Sequence, residues 1–209
     1  MGRAISIRGR SVERWSPTLF IVAGVLLVGH AIVWGVRVFT DANPPSGPFA
    51  ASGHFVAVVG LILLYPVLAD RTPVLARGAA VAAAVPAAGW FVVTAEQLVE
   101  VAGVLPPGAT ALPPAFYLVV LASTVVAYVL FTVACRRAGV DSRTLGLLFL
   151  APAVLLVTRV AARAVGSAVP PTGLVVGGGL ALALLAIGFR LRTATSTDRG
   201  ASAAGPAAG

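Results

Sequence analysis

Lysine is absent from this chain, and all fifteen basic residues are arginine. Cysteine occurs once, as Cys135, which rules out an internal disulfide, a CxxC redox pair, a multi-thiolate metal site and the quinone-linked thiol oxidation that needs paired thiols. Charged residues make up only 11%, against roughly a quarter in soluble domains. There is no HExxH, no Walker loop, no GxSxG and no pair of aspartates for phosphotransfer. The chain is therefore not read as an enzyme. Its formal charge of +8 does not point to nucleic acid either, because the arginines are dealt out between long apolar runs and not gathered into a binding patch.

What is present is apolar. With 58% hydrophobic residues and a mean hydropathy of +0.97, the composition belongs to lipid rather than water. Runs of about twenty apolar residues match the hydrocarbon thickness of a bilayer, and they recur over 17–39, 50–69, 74–102, 115–135, 143–165 and 172–189. The expected fold is all-α, an integral membrane bundle of six transmembrane helices. It divides into a basic N-terminal segment at 1–15, the six-helix domain at 16–192 and a small, polar, Pro/Gly-containing tail at 193–209 that is expected to be disordered. Ser16-Pro17 reads as an N-cap with proline at the first helical position. The first run is too long for a signal-peptide core and has no small-x-small cleavage site, so it reads as an uncleaved helix. Trp15 and Trp34, roughly 28 Å apart along a helix, read as anchors at opposite interfaces.

Arginine placement predicts the orientation. Arg3, Arg8, Arg10, Arg14, Arg71, Arg77, Arg136, Arg137, Arg143, Arg190, Arg192 and Arg199 fall on one side of such a bundle, and only Arg37, Arg159 and Arg163 on the other. The positive-inside rule then places both termini in the cytoplasm and the protein in the plasma membrane.

Ionisable groups within membrane spans are where function is sought first, because lipid offers no water to solvate them. Counting sixteen residues from the boundary residues Arg14, Asp70 and Arg143 puts His30, His54 and Arg159 at about 24 Å, in the outer half, with Arg37, Asp41, Glu96, Glu100 and Arg163 somewhat higher. His30, Trp34, Arg37 and Asp41 form one helical stripe, and Tyr117, Thr124, Tyr128, Thr132 and Cys135 form another. The sharpest chemical reading takes His30 and His54 as the two axial ligands of a b-type haem, with arginines near the propionates, making an electron-transfer protein. Adding Glu96 for a zinc or iron site lacks the spacing of metal motifs. The plainer reading has the histidines hydrogen-bonded between helices and Arg159 and Arg163 paired with Glu96 and Glu100 on the next helix, which offsets the cost of arginine inside the hydrocarbon edge.

An outward-opening vestibule for an anion, or a small-solute transporter built on Pro66, Pro86, Pro152 and the glycines of the last helix, is a further alternative. The absence of a carboxylate at mid-depth argues against proton- or sodium-coupled transport, and the glycines fit close helix contacts, with Gly173 and Gly177 as one GxxxG. The segment Leu63–Val93, LLYPVLADRTPVLARGAAVAAAVPAAGWFVV, resembles stretches of small uncharacterised polytopic membrane proteins of haloarchaea and other GC-rich prokaryotes. That resemblance implies a membrane bundle and no particular activity. The expected role is a non-enzymatic accessory or partner-binding membrane subunit, whose partners are the lipid bilayer and another membrane protein or a second copy of the chain.

Overall fold

The computed structural model describes residues 7–40, 42, 44–104, 106, 112–139, 142–164 and 170–203. The described residues are helical apart from short connections: α1 (Ile7–Phe39), α2 (Gly47–Leu63), α3 (Tyr65–Ala69), α4 (Pro73–Val101), α5 (Pro114–Ala138), α6 (Ser142–Ala164) and α7 (Pro170–Ala203). Among them, six helical stretches of 19 to 29 residues are long and apolar enough to cross a membrane. The second of these joins α2 and α3. Pro66 has no N–H for the helical ladder, and the helix is interrupted two residues before it, at Leu64, before resuming at Tyr65. Pro86 and Pro152 leave α4 and α6 unbroken.

Each spanning helix packs against the next in sequence, and α7 returns to pack on α1, closing a ring of six. Thus α5 stands between α4 and α6, which share no packing face among the described residues. The α1–α7 seam is the closest approach. A Cβ at Gly188 would lie 2.9 Å from the Pro17 carbonyl oxygen and 3.0 Å from the Ile21 amide nitrogen, so only glycine allows the two backbones to meet. The ring interior is filled by Phe20, Leu27, Leu61, Phe131, Phe149, Leu156 and Leu184, all fully buried, while valine, leucine and phenylalanine side chains cover the exterior. Phe20 meets Phe149 edge-on at 5.7 Å, joining α1 to α6 across that interior.

The bundle has two ends. The proximal end holds Trp15, the α3–α4 and α5–α6 turns and Arg190 and Arg192 of α7, and the distal end holds the α1–α2, α4–α5 and α6–α7 connections. At the proximal end Gly139, with φ of 65°, terminates α5, and Arg71 donates from Nη1 to the Ala138 carbonyl at 3.0 Å. A guanidinium on the last carbonyls of a helix is favoured by the backbone dipoles.

Several local expectations change. Ser16 does not cap a helix: α1 begins at Ile7, and the Ser16 hydroxyl, buried inside it, donates to the Gly60 carbonyl on α2 at 3.0 Å. An inter-helix acceptor has taken the place of the cap. The tail from Thr193 is not irregular at its start, because α7 continues to Ala203; no proline or glycine interrupts the register between Gly188 and Gly200. Residues 204–209 of that tail lie outside the described residues, as does Asp41.

Candidate functional site

The distal end carries the polar layer. From α1, His30 turns inward and is only 3% exposed. Its Nε2 receives the indole N–H of Trp34, one turn further along, at 3.1 Å, and its Nδ1 lies 3.1 Å from the Ser46 carbonyl oxygen. An indole nitrogen only donates, so Nε2 is the acceptor and the proton sits on Nδ1, donated to Ser46. The stripe continues upward. The Arg37 guanidinium lies 4.9 Å over the Trp34 ring and donates from Nη2 to the Pro44 carbonyl at 2.5 Å. His30 and Arg37 together clamp the 44–46 segment onto the end of α1, and that segment opens α2.

Trp34 spends its N–H inside the bundle. Its N–H points to His30, and its ring packs against α7, where a Cβ at Gly173 would approach it to 2.8 Å. One turn on, a Cβ at Gly177 would come within 3.1 Å of the His30 ring. The GxxxG of α7 is therefore the bed for the His30–Trp34 stripe. Trp15 does remain outward, at 61% exposure.

His54, 2% exposed on α2, stacks on Trp90 of α4 with ring centroids 4.5 Å apart and an interplanar angle of 22°. Trp90 in turn donates from Nε1 to the Thr124 hydroxyl of α5 at 2.9 Å, and Thr124 donates to the Val120 carbonyl at 2.6 Å. A chain of aromatic and hydrogen-bond contacts thus ties α2, α4 and α5 at one level. The stripe on α5 does face inward, with Thr124, Tyr128, Thr132 and Cys135 all buried. Its threonines bond to their own helix, however, Thr132 to the Tyr128 carbonyl at 2.8 Å.

Glu96, 9% exposed, accepts the Leu112 amide at 3.2 Å on Oε1 and the Tyr117 hydroxyl at 2.8 Å on Oε2. Its described partners are those two, one just before α5 and one in its first turn, and α5 separates it from α6. Glu100 and Arg159 both take part in interactions of their own. Arg159 is half-buried on α6. Arg163 lies in α6 one turn beyond Arg159, with its side chain outside the described residues.

The structure thus places His30, His54, Arg37 and Arg159 toward the distal end of the bundle, with both histidines buried and Glu96 turned to the α4–α5 side. Trp90, Ser46, Pro44 and Leu112 complete the layer without having been singled out in the sequence. Only Trp90 left a signal, as one of two adjacent large aromatics, with Phe91, at the end of an alanine-rich run. The residues present do not fit a haem held between the two histidines, because both ring nitrogens of His30 are used within the fold. No group of three or more His, Cys, Asp or Glu side chains able to hold a metal ion occurs among the described residues. An all-helical ring with six membrane-length apolar helices is consistent with a polytopic membrane protein. The chain matches no family model, no curated protein and no solved structure.

Proposed function

We propose that this chain is a non-enzymatic integral membrane protein of the plasma membrane, an accessory or partner-binding subunit with both termini in the cytoplasm and the distal polar layer toward the outside. The observation that carries this reading is how the layer's polar groups are spent. His30, Trp34, Arg37, Glu96 and Tyr117 bond to one another or to the backbone of the 44–46 and 112 segments. A site built for chemistry keeps such groups presented to a substrate, whereas here they hold connecting segments onto helix ends. The apolar exterior, including a groove between α5 and α6 lined by Leu118, Leu121, Val125, Val157 and Ala161, suits lipid contact. The arginine-rich proximal end supports a cytoplasmic face.

Substituted-cysteine labelling tests the orientation. In a Cys135→Ala background, Thr40→Cys and Val104→Cys, both exposed at the distal end, are expected to react with an impermeant maleimide in intact cells. Val74→Cys, exposed beside the α3–α4 turn, is expected to react only after permeabilisation. The opposite pattern would overturn the orientation, and free reaction at all three positions in the soluble fraction would overturn membrane insertion.

A further inference from the structure

Along α5 the residues Leu118, Ala122, Val125, Thr132 and Arg136 recur at spacings of three, four and seven, which puts them on one stripe of the helix, and Gly146, Leu150, Val157 and Ala161 form a matching stripe on α6. The two stripes face each other across the exterior seam of these helices. The groove of about 550 Å³ occupies its distal part, and a slot of about 190 Å³ lined by Thr132, Arg136, Gly146, Leu147 and Leu150 occupies its proximal part. Glycine leaves the slot open. A Cβ at Gly146 would lie 3.0 Å from Arg136 Cγ and 4.0 Å from Thr132 Cγ2, so the stem of the arginine and the methyl of the threonine lie against α6 there. The Thr132 hydroxyl is spent on the Tyr128 carbonyl, and Leu147 and Leu150 complete an apolar wall. Arg136 is exposed, and among the described residues its guanidinium has neither a hydrogen bond nor an ion pair. A permanent positive charge thus stands at the proximal mouth of an apolar slot. From Arg136 to Val125, where the distal groove begins, eleven residues rise roughly 16 Å. One leaflet contributes a similar depth, about 15 Å, half of a hydrocarbon core of about 30 Å.

We propose that the α5–α6 seam binds one anionic phospholipid of the proximal leaflet, with its phosphate on Arg136 and one acyl chain laid along the slot toward Val125. The planar fork of a guanidinium holds two phosphate oxygens at once. Charge selects this occupant. No carboxylate lines the slot or the groove, so an apolar helix docked there would leave Arg136 without a counter-charge at the hydrocarbon edge, whereas a lipid phosphate brings one at that level. The site rests on membrane insertion, as the proposed function does, but not on the orientation; the cysteine labelling reports insertion separately, so a lipid that fails to bind an inserted protein counts against this site alone.

Native mass spectrometry of the delipidated protein in neutral detergent, titrated with dioleoylphosphatidylglycerol, is expected to show one lipid bound well before any further ones. Dioleoylphosphatidylcholine, with the same chains and no net charge, is expected to bind at least about tenfold more weakly. Arg136→Gln should weaken the first phosphatidylglycerol by at least about tenfold, while Arg137→Gln, which removes an equally exposed charge that does not line the slot, should change it by less than about twofold. Glycerophosphoglycerol, the same headgroup without chains, is expected not to compete even in large excess. Equal loss in the two arginine variants, equal binding of the two lipids, or competition by the chain-free headgroup would overturn the proposal. A dimer that takes up no lipid would overturn it too, with a second copy covering the seam.

Discussion

A single indole N–H decides what His30 is for. Trp34 stands one turn from His30, donates to its Nε2 and so fixes the tautomer that reaches the Ser46 carbonyl. Trp34→Phe keeps the ring against Gly173 but strips that donor, leaving a buried acceptor unpaired; the expected loss is about 1–3 kcal/mol of unfolding free energy in detergent. Combined with His30→Phe, the two losses should fall short of additivity by about 1 kcal/mol, and a strictly additive cycle would mean the bond contributes nothing. Tyr117→Phe, which removes one of the two donors to the buried Glu96, is expected to cost a similar 1–3 kcal/mol by the same measurement. The sequence shows the four-residue spacing of His30 and Trp34 plainly. It cannot show the Ser46, Pro44 or Leu112 partners, because backbone carbonyls and amides are carried by every residue and acquire meaning only when a turn brings them to a side chain.

Among the elements, α1 and α7 meet most closely, and glycine makes that possible. Gly188→Leu would drive its side chain into the Pro17 carbonyl and the Ile21 amide, forcing the helices apart. The expected destabilisation is about 2 kcal/mol or more. Gly178→Ala is the control, since nothing lies within 4 Å of a Cβ there and alanine favours helix by up to about 1 kcal/mol; it should leave the melting temperature unchanged or raise it. If both variants melt alike, the tight α1–α7 seam is wrong. The apolar runs place all six spanning helices to within a few residues, since twenty-odd apolar residues have few alternatives to a helix in lipid. The ends are less legible. Ser16 resembles a cap and instead bonds across to Gly60, and Thr193 resembles the start of a disordered tail and instead extends α7, because a tertiary acceptor and an uninterrupted register outweigh local composition.

For the whole molecule, counting residues along a helix gives height but not direction around the ring. Height brings His30, His54, Glu96 and Arg159 into one distal layer, and the structure keeps them at that end. Direction is what separates Glu96 from Arg159: with each helix packed on its sequence neighbour and α7 closing on α1, α5 intervenes, and Glu96 meets Tyr117 and Leu112. The layer is therefore a seam that holds connections onto helix ends, with His54 as the one histidine whose Nε2 is left over. The most direct measurement is the visible spectrum, with iron content, of protein purified from cells supplied with ample haem. A colourless, iron-free protein is expected, with His30→Ala lowering the melting temperature and leaving the spectrum unchanged. A Soret band that disappears in His30→Ala or His54→Ala would contradict the structural role given to the histidines.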